Sequence, residues 1–493
     1  MPMTLSKSKF LAGWQCLKRL YLLVHRPDLV AGSEGTDHAF MEQGLEVGRL
    51  APKLFPGGVE VTAIGLGEAI RATRELIANP QIPAIFEPAF EWDGVYVRAD
   101  ILQRRKDRRW RLIEVKSSTS LKEEYIPDVA IQNHVLSKAG IDVASCHLAH
   151  VNRAYVYQGG AIDPWRFFRI KNVTRRVEAL LHELPSQLAS EFRVISSTEP
   201  PNVETGLHCS RPRTCEFYEQ CNPPLPEDHI SYLPRIGAKV IVKLRELGVS
   251  SIKDIPDDYS LNERLRHACT SVQTGQPWFS TALKDELAVL KYPLCFMDFE
   301  TINPAIPRFV GMHPYDHIPF QWSVHVQHRT SEALEHHEYL AGDTCDPRRG
   351  FISSLCDALG QQGSIVVYNG SFESRRLSEA ARWLPEFSEQ IESIQSRLWD
   401  LLPVVRDHVY HPAFAGSYSL KAVLPALAQE MTYDGMDVAD GQEAGLTWET
   451  MVRGNVDRVE RERLRQALLD YCGQDTLALV RVLEELNRRC LQL

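Results

Sequence analysis

Two short apolar runs, residues 110–115 (WRLIEV) and 294–299 (LCFMDF), each carry a carboxylate at or near their end. Runs of this length and composition read as buried strands rather than helices. They alternate with stretches of helical periodicity, which predicts an α/β fold in each half. A chain of 493 residues is too long for one ordinary core. The break is expected at the acidic, Pro-rich stretch 222–228 (NPPLPED).

This reading gives three segments: 1–222, a smaller bridge of short helices at 223–290, and a second α/β domain at 291–493. Within the first, residues 1–48 read as helical, 84–90, 95–102 and 110–115 as strands, and 128–138 and 173–192 as helices. Later strands are expected at 294–299, 321–325 and 364–368. No run of about 18 apolar residues and no cleavable leader is evident, so the expectation is a cytoplasmic protein without a membrane partner. With 55 Lys and Arg against 64 Asp and Glu, nucleic-acid binding would have to use local basic patches.

The first group of chemistry-bearing residues is Asp100, at the end of one strand, with Glu114, Val115 and Lys116 at the end of the next. Two carboxylates and the Val115 carbonyl offer hard oxygen ligands to a divalent cation, and Lys116 can polarise an attacking water. A solvated hairpin with a salt bridge is the plain alternative. Glu87 lies on the preceding strand and Gln132 on the following helix. This order resembles the RecB-type branch of the PD-(D/E)xK nucleases over about residues 5–222. The resemblance implies Asp100 and Glu114 as metal ligands, Lys116 on the water, Glu87 as an auxiliary carboxylate and Gln132 near the substrate backbone. Two departures stand out: Gly48 occupies the place of the usual histidine ligand, and Leu136 that of a tyrosine.

Of eleven cysteines, those at 146, 269, 295, 345, 356, 472 and 490 sit singly in apolar or helical contexts and read as core thiols. Cys209, Cys215 and Cys221 instead follow His208 among Pro and Arg residues, and Cys16 lies far upstream. Thiolates so grouped can hold a 4Fe-4S cluster or a structural zinc, with His208 as an alternative fourth ligand; spacing alone does not choose. The arrangement resembles the iron-sulfur RecB-like nucleases, which implies the cluster. In the bridge, 231–248 (SYLPRIGAKVIVKLRELG) resembles a helix-hairpin-helix, with Gly237 exposing backbone N–H groups to a phosphate and Arg235 in place of the first glycine. A plain helical linker is equally compatible.

The third group begins with Asp298 and Glu300, two residues apart on one strand face, where like charge favours a bound cation. Asn369 closes a later strand, Glu373 falls on the first turn of the next helix, and Tyr471 and Asp475 stand four apart on a late helix. In this order they resemble the DEDD exonucleases of the DnaQ type, tyrosine subgroup, over about 292–485. The resemblance implies an RNase H-like domain in which Asp298, Glu300, Glu373 and Asp475 hold two metals and Tyr471 orients the water. Glu373 stands where that family usually has Asp. Asn369 and Lys421, the latter in an expected loop at 417–421, would face substrate.

The whole chain resembles an uncharacterised bacterial family pairing these two domains. The expected function is a metal-dependent nuclease acting on nucleic acid, DNA favoured, with Mg²⁺ or Mn²⁺ at both centres, in DNA repair or defence. The alternatives are one 3′–5′ exonuclease activity with an inactive amino-terminal clamp, and a non-enzymatic nucleic-acid-binding scaffold.

Overall fold

The computed structural model describes residues 4–30, 36–330 and 332–492. Parts of the helical expectation for 1–48, at 1–3 and 31–35, lie outside the described residues. The chain is mixed α/β and divides into two compact units, residues 1–224 with 304–316 and residues 225–303 with 317–493. Among the described residues no helix is long and apolar enough to cross a membrane.

The first unit is built on a six-stranded sheet in the order Val59–Glu60, Ala84–Phe86, Ile101–Arg104, Trp110–Lys116, Val143–Val151, Phe168–Asn172. Trp110–Lys116 runs antiparallel to Ile101–Arg104 and parallel to Val143–Val151. A parallel pair needs a crossover, and helix Ile126–Lys138, opened by Pro127 in its first turn, supplies it. This helix has no single apolar face: Ile126 to Asn133 are all buried, Asp128 and Gln132 included.

Several expectations are corrected here. Asp100 does not end a strand; it lies between Val95–Arg98 and Ile101–Arg104, which belong to different sheets. Glu87 is on no strand but in the turn between Ala84–Phe86 and Ala89–Trp92, with φ of 53°. The stretch 173–192 is two helices, Thr174–Leu180 and Leu184–Ile195, the second with Pro185 in its first turn.

In the second unit a five-stranded sheet has the order Glu335–Leu340, Ile318–Gln327, Leu294–Ile302, Ser364–Val367, Leu398–Asp400. The first three strands are antiparallel and the last two parallel to Leu294–Ile302 or to each other. Residues 223–290 do not form a separate body. Ile230, Leu233, Leu244, Ile252, Leu265 and Leu283 share one core with Leu294, Phe296, Val405 and Leu479. The hairpin-like turn has Arg235 at φ 54°, and Gly237 caps the nine-residue helix Ala238–Glu246; the element before it is only the 3-10 turn Ile230–Tyr232.

Candidate functional site

The sheet residues of the second unit explain how its carboxylates meet. Asp298 and Glu300 pair across the ladder with Ser323 and Gln321, so all four face the same side. Helix Arg458–Cys490 lies over that side: Gln321 Nε2 donates to Leu468 O at 2.6 Å, and the Ser323 and Thr476 hydroxyls are 2.8 Å apart. Tyr471 and Asp475, one turn apart, are thereby carried to Asp298 and Glu300. One oxygen from each of Asp298, Glu300 and Asp475 lies within 4.8 Å of the others. Among the described residues this is the only group of three or more such ligands drawn so close.

The electrostatics follow from burial and crowding. Burial and then the charge of Asp475 push Asp298 up to about 8. Burial, Asp298 and Asp475 hold Glu300 well above the carboxylate range, and burial also raises Asp475. Glu373, 3 % exposed on helix Ser371–Trp383, is raised to about 9 by burial and by Asp298, and its Oε2 has no hydrogen-bond partner. Crowded like charge of this kind is what a divalent cation relieves. Gly441, the first residue of helix Gly441–Arg453, leaves room for Glu300; a Cβ there would stand 2.8 Å from its Oε2.

Other expected residues fall as follows. Lys421 is exposed, donates to Ala439 O, and its ammonium lies 5.5 Å from the ring centres of both Tyr433 and Tyr471. Asn369 is exposed at φ 75°, a conformation asparagine tolerates, and Asp400 accepts from the amides of Asn369 and Gly370 at 2.9 and 3.0 Å. Gly237 has nothing within 4 Å of a Cβ built on it. Tyr433, which the motifs did not single out, donates its hydroxyl to Asp475.

The first unit also brings its expected residues together. The amide of Val115 donates to Asp100 Oδ2 at 2.6 Å, and the amide of Glu87 to the Asp100 carbonyl at 3.1 Å. Lys116 Nζ donates to Glu114 Oε1 at 2.8 Å and to Asp128 Oδ2 at 2.5 Å. Gln132 Nε2 donates to Glu114 Oε2 at 2.7 Å and Asp128 Oδ1 at 2.9 Å. Lys7 and Asp128 are additional members, the lysine 3.1 Å from Glu114 Oε1 and 3.2 Å from Asp128 Oδ1. Burial, with Asp100 and Asp128, pushes Glu114 up to about 7. Burial acts upward on Asp128 too, but Lys116 and Lys7 hold it below its ordinary value. Burial likewise raises Asp100 and Glu87.

Cys16, Cys209, Cys215 and Cys221 line one small cavity with His208 and Arg19. The two chain segments are joined there by Gln15 Nε2, which donates to the carbonyls of His208 at 2.6 Å and Arg213 at 3.0 Å, and by Arg19 on Glu216 at 2.9 Å. Of the cysteines read as core thiols, Cys345 is exposed, and Cys356 and Cys490 are half-buried.

A family described as a domain of unknown function (DUF2779) matches residues 295–419, which span Asp298, Glu300 and Glu373. The chain is 24% identical over 223 residues to "Uncharacterized protein UU173" of Ureaplasma parvum, a match covering 41% of this chain and 32% of that protein. It is 27% identical over 212 residues to "Uncharacterized protein MG366 homolog" of Mycoplasma pneumoniae, covering 39% and 32%. The match thus spans about a third of the length of these curated relatives. A solved structure titled "Crystal structure of SSO0001" is similar at a TM-score of 0.22 and 15% identity, over 46% of this chain and 89% of that one.

Proposed function

We propose that this protein is a metal-dependent nuclease whose main centre is formed by Asp298, Glu300, Glu373, Tyr471 and Asp475. The observation that carries the reading is the convergence of Asp298, Glu300 and Asp475 within 4.8 Å, where burial and mutual repulsion outweigh the one nearby cation, Lys421. These three carboxylates would hold a divalent cation, Mg²⁺ or Mn²⁺, with Glu373 beside them for a second. Such a cation supplies Lewis acidity toward a phosphodiester and an activated water. Tyr471, whose hydroxyl reaches Asp475, orients the attacking water, and exposed Lys421 attracts the phosphate backbone. In finer terms this is a DnaQ-type, RNase H-like 3′–5′ exonuclease domain, with DNA as the favoured substrate and repair or defence in the cytoplasm as the setting.

For the first unit, Asp100, Glu114, Lys116 and Gln132 suit a PD-(D/E)xK centre, and Asp100 and Glu114 would hold its cation. The four thiols, drawn to one cavity with His208, would hold a 4Fe-4S cluster, with zinc as the alternative. A second reading, that this unit is an inactive nucleic-acid clamp, draws on Leu136, fully buried where a substrate-stacking tyrosine would stand, and on Gly48 in place of the histidine ligand.

The test is cleavage of end-labelled single- and double-stranded DNA and RNA by the purified full chain with Mn²⁺ and with EDTA. Metal-dependent release lost in Asp298→Ala supports the main centre. Residual metal-dependent cleavage lost on adding Lys116→Ala supports the second centre, and its absence favours the clamp. No cleavage of any of these substrates would overturn the nuclease reading.

A further inference from the structure

Lys7 sits at an unfavourable place for a cation. It is the first residue of helix Lys7–Gln15, where the positive end of the helix dipole opposes it. It is nonetheless held there by Glu114 and Asp128, themselves 2 % and 4 % exposed. The helix is pinned along its length: Ser6 caps it through the amide of Lys9, and Gln15 binds the thiol-bearing segment. In its last turn Gly13 lies so close to the buried Glu191 carboxylate that a Cβ would stand 2.6 Å from it.

Glu114 already holds three donors, two of them charged. Oε1 accepts from both Lys7 and Lys116, and Oε2 accepts from Gln132. A cation arriving between Asp100 and Glu114 therefore meets two ammoniums already seated on Glu114 Oε1. Lys116 is the more firmly held of the two ammoniums, at 2.8 and 2.5 Å from its carboxylates against 3.1 and 3.2 Å for Lys7.

Resting on the reading of Asp100 and Glu114 as metal ligands, we propose that Lys7 is an internal counter-cation that competes with the divalent metal for Glu114 and yields its place when the metal binds. Once released from Glu114, Lys7 keeps Asp128 as a partner, and its ammonium is available to a phosphate oxygen of the substrate. A lysine that only braced the fold would have no such relation to the metal.

The test is Mn²⁺ titration of the full chain, followed by calorimetry and by the EPR signal of free Mn²⁺. It is run in an Asp298→Ala, Asp475→Ala background that removes the other centre, at mildly alkaline pH so that protons do not compete. Lys7→Met should tighten Mn²⁺ binding by about tenfold or more, because a nearby like charge is lost in a poorly solvated site. Lys7→Arg should stay within about twofold of the parent, because it keeps the charge. Lys7→Gln, which retains a donor for Glu114, should follow Lys7→Met and guards against a folding defect, which thermal melts of all three variants would reveal. Equal or weaker binding in folded Lys7→Met and Lys7→Gln overturns the competition while leaving the metal site standing. Binding unchanged by Asp100→Ala with Glu114→Ala, or no binding in any variant, overturns both.

Discussion

Tyr433 donates its hydroxyl to Oδ1 of Asp475 at 2.6 Å, from the loop joining helices Leu420–Leu427 and Gly441–Arg453. Burial raises Asp475, and the hydrogen bond from Tyr433 is the strongest of the influences that hold it down, ahead of Lys421 and Tyr471. Tyr433 is half-buried and its own hydroxyl is pushed up by burial and by Asp475, so it stays a donor at neutral pH. The same loop ends at Gly441, against Glu300. Two of the three converging carboxylates are thus approached by a segment far in sequence from the strand and the helix that carry them.

Tyr433→Phe should therefore shift the acid side of the pH–activity profile to higher pH. Without the donor, Asp475 binds its proton more tightly, and a protonated carboxyl is a poor metal ligand. The loss of one hydrogen bond to a buried group should cost about 1 kcal/mol in stability. A profile that superimposes on the parent, measured with saturating Mn²⁺ at each pH, would show that Tyr433 does not act through Asp475.

The raised carboxylates make a thermodynamic prediction for the metal-free protein. Asp298 at about 8 and Glu373 at about 9 bind protons in the folded state that they have lost in the unfolded state above their ordinary values of 3.8 and 4.5. The folded state then holds more protons, so their stabilising contribution, complete below those ordinary values, is lost as pH rises toward 8 and 9. Denaturant melts in EDTA should show stability falling over this range, a smaller fall in Asp298→Asn, and recovery with Mn²⁺. A flat profile in EDTA would mean that these carboxylates are not crowded in solution.

Much of the main centre could be read from local spacing. The i,i+2 pair Asp298 and Glu300 and the i,i+4 pair Tyr471 and Asp475 need only strand and helix periodicity to share a face, and Glu373 needs only a helix start. Lys7, Asp128 and Tyr433 were hidden because each reaches its partner from a distant segment. One signal for Asp128 did exist: Asp128 and Gln132 stand four apart in an otherwise apolar helix, and buried polar groups at that spacing call for a shared partner. The sharing of one core by 223–290 and the second sheet is not legible locally, because periodicity tells which residues are buried but not in which core. Nothing local marked 304–316 as part of the first unit, where Arg308 pairs with Glu46 at 2.9 Å and Tyr157 and Met312 share a backbone hydrogen bond.

That core sharing decides where a fragment can begin. From the sequence, a fragment starting near residue 285 would keep all the carboxylates of the main centre. It would also lose Ile230, Leu233, Leu244, Ile252, Leu265 and Leu283, which share their core with Leu294, Phe296 and Leu479. Removing so much buried apolar area exceeds the net stability of an ordinary domain. A fragment from residue 285 should be insoluble or unfolded by circular dichroism, while one from residue 225 should melt cooperatively. Cooperative folding of the shorter piece would show that these contacts are dispensable.

Tyr471 is suited to donate a hydrogen bond and not to act as a base. Its hydroxyl lies beside Asp475 and under the field of Glu300 and Asp298, and burial with these charges raises it so far that it remains protonated throughout the working pH range. It can therefore donate a hydrogen bond and orient an oxygen, but cannot serve as a base. Tyr471→Phe keeps the ring against Lys421 and removes only the hydroxyl, so kcat should fall by about 10²–10⁴ with KM changed little, as expected for an interaction made in the transition state. Asp298→Ala removes a carboxylate from the centre of the group and should abolish both this activity and its Mn²⁺ binding. Products should be mononucleotides released from 3′ ends, read by placing the label at either terminus of the strand. Release from 5′ ends, or a Tyr471→Phe enzyme as fast as its parent, would show that the carboxylates serve some other chemistry than 3′–5′ exonucleolysis.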